Sequence, residues 1–297
     1  MKRGAAGAAL AAVLLIAAAS GCMRAPSPAG SARVSARARA ASLQSDSVTV
    51  GLWHLDETGG TEVADAGPFR LEGYAGVETG TDFGRFGNAR SFLRSLESYL
   101  LVPYNPVLDT ASGFTIEAWI RPSAFGPYED TPIAARWTLA ANEQSWLFGI
   151  VGSRLQPPRA TLASPGWHDA LVQLGTVGHL VFAFQPSDAG PPRSFFSTGV
   201  VELDRWTHVA ATYEGQIVRL YIDGQLDAQF ATLGAIRPSP TPLVIGNFLD
   251  PRWLSDFGGD LRVDQAPDPN PYYAYQGLID EVRLSSAARR RFDVLPR

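Results

Sequence analysis

The chain has one cysteine, Cys22, and one lysine, Lys2, in 297 residues. Residues 48–297 therefore form no disulfide, build no zinc–thiolate site and offer no cysteine nucleophile. Their cations are all arginine, 19 of them against 28 aspartates and glutamates. An acidic unit lacks the basic footprint that a phosphate backbone requires, which argues against a nucleic-acid partner. Long apolar runs are missing apart from Ala8 to Ala19, which is too short to span a bilayer comfortably. No segment sustains a 3.6-residue period, and strand does not alternate with helix, so bundles and doubly wound α/β folds are disfavoured. Catalytic signatures are scarce as well. There is no Gly-x-Ser-x-Gly, and His54, His168, His179 and His208 stand isolated. Glu117 has no acidic residue at 115 or 119. Asp280 and Glu281 are adjacent, so on a regular strand they would face opposite ways and could not cooperate. The expectation is a protein that is not an enzyme.

What the chain does contain begins with a processing segment. Lys2 and Arg3 precede the apolar run, and Ala19-Ser20-Gly21 leads into Cys22. Small residues ahead of a cysteine make residues 1–21 a secretory signal. The segment resembles a bacterial lipoprotein signal, in which Cys22 would carry the lipid and become the first mature residue. That resemblance implies an exported, lipid-anchored protein of the cell envelope, in the outer membrane if the cell is Gram-negative. Residues 22–47 are Ala, Ser, Arg and Pro with few large apolar side chains, as in a flexible tether. Arg33, Arg37 and Arg39 in it either touch anionic lipid headgroups or simply keep the linker soluble.

From residue 48 onward, short alternating runs are separated by turn residues, and 29 glycines and 22 prolines supply the turns. In residues 113–121, Phe114, Ile116, Ala118 and Ile120 share one face, with Thr115, Glu117, Trp119 and Arg121 opposite. In "WTHVAATYEGQIVRLYIDGQL" (206–226), Val209, Ala211 and Tyr213 share one face and Val218, Leu220 and Ile222 another. Asp223-Gly224 suits a type I′ hairpin turn. A strand is expected at Leu171 to Leu174, and only Ser286 to Phe292 reads as helical. Many short strands in one unit predict an all-β, two-sheet antiparallel β-sandwich or jelly roll over residues 48–297.

Six blocks give this pattern a family character: "GLWHLDETGGTEVADAG" (51–67), "FGNARSF" (86–92), "FTIEAWIRP" (114–122), the 206–226 stretch, "LVIGN" (243–247) and "GLIDEVRLSSAA" (277–288). In this order they resemble the laminin G-like, concanavalin A-like jelly-roll domains of bacterial surface proteins. The resemblance implies the fold more sharply than the function, because lectins, adhesion modules and glycosidases share it. It also implies a structural Ca²⁺, for which Asp56 in the first block, Asp280 in the last and Asp65 are the candidate ligands; ordinary turn and edge carboxylates are the alternative. Glucanases of this fold carry paired acidic residues on one strand, and no Glu-x-Asp-x-x-Glu occurs here.

A glycan site needs an aromatic platform with polar groups beside it. Trp119 is one candidate, although its place in a family block equally suits a structural role. Residues 247–276 form an unusually long connection, and long loops often carry function. That connection holds Trp253, Phe257, Tyr272, Tyr273 and Tyr275 among aspartates. The alternative is a lid that packs its own aromatics on the sheet. The expected partners are a glycan or an envelope protein, recognised without catalysis.

Overall fold

The computed structural model describes residues 42–294 apart from 112, 128–129, 139–142, 154–176, 189, 259, 265, 267–272 and 293. The strand expected at 171–174 lies outside the described residues, as do Cys22, Tyr272 and the tether up to residue 41. Eighteen strands are present among the described residues: β1 (Thr49–Trp53), β2 (Glu62–Val63), β3 (Gly73–Ala75), β4 (Gly80–Phe83), β5 (Asn88–Phe92), β6 (Leu100–Val102), β7 (Phe114–Ala124), β8 (Thr131–Trp137), β9 (Gln144–Ile150), β10 (His179–Phe184), β11 (Arg193–Val200), β12 (Thr207–Tyr213), β13 (Ile217–Ile222), β14 (Gln225–Ala231), β15 (Leu243–Ile245), β16 (Leu254–Phe257), β17 (Asp260–Val263) and β18 (Gln276–Ser285).

Two antiparallel sheets form the sandwich. The first runs β14-β13-β12-β7-β18-β5-β4, with β1 also on β18; the second runs β11-β10-β9-β8-β15-β6-β3-β2. The alternation read from the sequence sets the inner face. Phe114, Ile116, Ala118, Ile120, Val209, Ala211, Tyr213, Val218 and Leu220 all enter the core between the sheets, against Trp146, Phe148, Phe182 and Phe184. Asp223 and Gly224 have φ of 48° and 73°, as a type I′ turn requires, and the two-residue loop joins Ile222 to Gln225.

The helix expected at 286–292 does not form. Those residues run extended over the outer face of the first sheet, where Phe292 packs on Tyr221 at 4.8 Å and on His208 at 5.3 Å. Tertiary contact outweighs the weak local propensity of a short segment. Both chain ends meet on this face. Leu43 donates its N–H to Glu281, Arg283 donates to the Gln44 carbonyl, and Arg289 grips Asp46 with contacts of 2.6 and 2.8 Å. Leu43 to Asp46, ahead of β1, thus find partners on the sheet.

Candidate functional site

Strand β18 changes partner along one edge. Residues 277–279 pair with β5, and residues 282–285 pair with β1. Between them the β7 register slips from Asp280↔Trp119 to Arg283↔Glu117, a bulge at which Glu281 adopts φ 54°. A bulge re-aims side chains and interrupts pairing. Simple alternation therefore fails at Asp280 and Glu281, contrary to the regular-strand expectation, and each turns into its own pocket. Glu281 meets His54 Nδ1 at 3.0 Å as well as the Leu43 N–H. Its carboxylate raises the His54 pKa, and burial raises its own.

Asp280 lies on the other side of the bulge, under the loop of residues 84–88. One oxygen, Oδ2, accepts from the Phe86 N–H at 3.0 Å, while Oδ1 is buried and accepts nothing. Burial, with the nearby Glu281 and Asp56 charges, pushes its pKa up to about 8. Asp56 reaches the same loop from the end of β1 and accepts the Asn88 N–H at 2.8 Å. Glycines make this approach possible. A Cβ at Gly87, whose φ is 67°, would lie 2.1 Å from Asp56 Oδ1, and one at Gly84 would lie 2.7 Å from Asp280 Oδ2. The orphaned oxygen of a buried carboxylate suits a hard cation. No group of three or more His, Cys, Asp and Glu side chains gathers at one point among the described residues. A cation here would thus draw its other ligands from backbone carbonyls or water. Asp65 is committed elsewhere: it takes the N–H groups of Leu52, Gly67 and Leu71 at 2.7–2.8 Å. Its role is to pin the loop after β1.

Further along the same outer face lies a groove of about 250 Å³. It is lined by Leu93 and Leu278 and by Ser91, Arg121, Ser123 and Gln276, with Asp82 and Asp204 beside them. The Ser91, Ser123 and Gln276 side chains make no hydrogen bond among the described residues. Arg121 donates from Nε to the Asp204 carbonyl at 3.1 Å and forms no ion pair among the described residues. Asp82 turns Oδ1 back to its own neighbour, the Phe83 N–H, at 2.7 Å.

The expected aromatic platforms are elsewhere or covered. Trp119 is only 4 % exposed. Phe86 and His208 pack edge-on against it at 5.7 and 5.6 Å, and the Arg85 guanidinium lies 4.8 Å over its ring. It is a packing residue, because the 84–88 loop closes over it. Residues 247–276 collapse in the same way. A 3₁₀ turn (Pro251–Trp253) and the β16–β17 hairpin lie on the outer face of the second sheet, where Trp253, Leu254 and Val263 pack on Tyr99, Leu101, Val244 and Leu249. Tyr273 packs on Phe248 at 5.6 Å. Tyr275 is 1 % exposed and packs edge-on against Phe92 at 6.0 Å. Among the described aromatics of this segment, Phe257, 54 % exposed, faces solvent. The segment is a lid, and these aromatics do not form one binding platform.

The groove escaped sequence reading because Asp82, Ser91, Arg121, Asp204 and Gln276 come from five separate segments. The one available signal was Arg121, a polar residue on the outward face of a family block.

The two antiparallel sheets, the long β18 and the core between them define a concanavalin A-like jelly roll. The profile of the concanavalin A-like lectin/glucanases superfamily matches residues 95–294, and the chain belongs to that family. No curated protein matches the chain. Among solved structures, the binding domain of Paraclostridial Mosquitocidal Protein 1 is similar at 12 % identity and a TM-score of 0.56, over 82 % of this chain and 49 % of that one. The binding domain of Botulinum Neurotoxin DC, in complex with SialylT, aligns at 13 % identity and 0.52, over 84 % and 49 %. Domain 4 of AbnA, a GH43 extracellular arabinanase from Geobacillus stearothermophilus in complex with arabinotriose, aligns at 15 % and 0.50, over 81 % and 93 %. The chain spans about half the length of the two toxin domains. At these identities the likeness is one of fold.

Proposed function

We propose that this protein is a non-catalytic recognition module of the cell envelope that binds glycan in the groove around Arg121. One observation carries the reading: unbonded Ser91, Ser123 and Gln276 side chains and the two terminal nitrogens of Arg121 line one groove together with Leu93 and Leu278. That is the lining a sugar needs, with apolar contact for its C–H faces and hydrogen bonds for its hydroxyls. Family membership supports it, as do the arabinotriose and SialylT complexes of structures with the same fold. Filling the groove by Ser91→Trp tests it. Glycan binding by titration calorimetry should vanish while the melting temperature holds. Unchanged binding would move the site elsewhere. Release of reducing sugar that disappears on replacing Asp82 or Asp204 would make the protein an enzyme instead.

In this reading Asp56 and Asp280 hold a Ca²⁺ that fixes the 84–88 loop beside the groove. The orphaned Asp280 oxygen supports that assignment, and Asp65 stays outside it. A lipid on Cys22 anchors the module, with residues 22–47 as the tether. Mass spectrometry of the purified protein should show an acylated Cys22 as the first residue. An exposed Phe83, 84 % accessible beside the groove, favours an envelope protein as the alternative partner. Capture of one specific envelope protein that Phe83→Ser abolishes would favour that alternative.

A further inference from the structure

We infer that the groove selects a glycan bearing isolated carboxylated sugars, and that Arg121 receives the carboxylate; this rests on the glycan-binding reading above. The argument starts from the arginines. Ten of the sixteen described arginines form ion pairs with carboxylates, among them Arg90, Arg136, Arg219, Arg283 and Arg289. Arg121 does not, although Asp204 is its immediate neighbour. It engages the backbone carbonyl of Asp204, not the carboxylate, and does so through Nε at 3.1 Å. That contact clamps the guanidinium plane and leaves its two terminal nitrogens without a protein acceptor among the described residues. Two parallel N–H donors from a fixed guanidinium match a carboxylate bidentately.

Arg85, in the turn between β4 and β5, lies over the Trp119 ring at 4.8 Å. It also lacks an ion pair among the described residues, and its buried Nε has no hydrogen-bond partner. Arg121 and Arg85 are thus two guanidiniums of this outer face without an ion pair among the described residues. The flanking aspartates narrow the ligand further. Asp82 and Asp204 at the rim would repel a chain charged at every residue, while their oxygens can accept from neutral sugar hydroxyls. Polyuronates and sulfated polyanions are disfavoured. A neutral chain with occasional acidic units, one of which meets Arg121, satisfies both signs of charge. Ser91, Ser123 and Gln276 are then placed for the hydroxyls of that unit and its neighbours.

Titration calorimetry of the purified protein decides this, with two probes: a xylo-oligosaccharide bearing one glucuronate branch, and sialyllactose. Each is compared with its own counterpart in which the carboxyl is reduced to an alcohol. At least one acid form should bind roughly 10- to 100-fold tighter than its reduced counterpart, as a charge-assisted bidentate contact predicts. That preference should disappear in Arg121→Gln and persist in Arg252→Gln, on the outer face of the other sheet, with melting temperatures confirming that both variants fold. Polygalacturonate should bind more weakly than the branched probe. Equal binding of acid and reduced forms overturns the inference but leaves the glycan reading intact, as does a preference that survives Arg121→Gln. Absence of binding to either probe, while a neutral glycan binds in a Ser91→Trp-sensitive way, has the same effect. If nothing on a broad panel binds, the inference and the glycan reading fall together.

Discussion

Glu117 shows how a single residue can matter in a way its sequence neighbours conceal. It is fully buried on the outward face of β7, between His208 Nε2 at 3.1 Å and Arg283 at 2.7 Å, with Arg289 at 3.8 Å. Burial pushes its pKa up, but the His208 and Arg283 contacts outweigh this and the net shift is downward. A carboxyl held low contributes stability above its unfolded pKa and loses it as pH falls through the folded value. Acid unfolding should therefore move to higher pH in Glu117→Gln, in addition to a loss of about 3–5 kcal/mol at pH 7 from stranding Arg283. Chemical denaturation across pH 3–7 measures both. Asp280 has the opposite sign. With its folded pKa at about 8 against an ordinary aspartate value of 3.8, the native state keeps a proton that the unfolded chain releases. Cation-free protein should lose stability as pH rises from about 4 to about 8, by a few kcal/mol. Ca²⁺ competes with that proton, so the calcium-induced rise in melting temperature should grow toward pH 8 and vanish in Asp280→Asn. A melting temperature indifferent to both calcium and chelator at pH 8 contradicts the metal assignment.

At the scale of elements, legibility in the sequence followed the period-two pattern. β7, β12 and β13 were readable because one face of each must be buried, and the Asp223-Gly224 turn because only a positive φ joins Ile222 to Gln225. The bulge in β18 was not readable, since one added residue leaves no mark in alternation until both neighbours of the strand are known. The lid was misjudged for a related reason. Trp253, Tyr273 and Tyr275 look identical in sequence whether they stack on a ligand or on their own sheet. In the structure they do the latter, so Trp253→Ala should destabilise the protein by about 1–3 kcal/mol and leave glycan affinity within about twofold. The terminal clasp was likewise hidden, because Asp46 and Arg289 lie at opposite ends of the chain. The Arg289 guanidinium holds the Asp46 carboxyl well below the usual carboxylate range. Asp46 is nevertheless largely exposed, so a double-mutant cycle on this pair should give no more than about 1 kcal/mol, shrinking with salt.

For the whole molecule, the arrangement separates three tasks. The core between the sheets holds the fold, the lid packs on the outer face of the second sheet, the segments around Asp46 and Arg289 meet on that of the first, and a groove over β5, β18 and β7 is lined by polar side chains. Recognition at that groove is the central claim. Its most direct test is titration calorimetry of glycans against the native protein and Ser91→Trp, run at fixed calcium and salt. Saturable binding that the groove-filling variant removes, with its melting temperature unchanged, is the predicted result. Binding that survives Ser91→Trp at full affinity would contradict it.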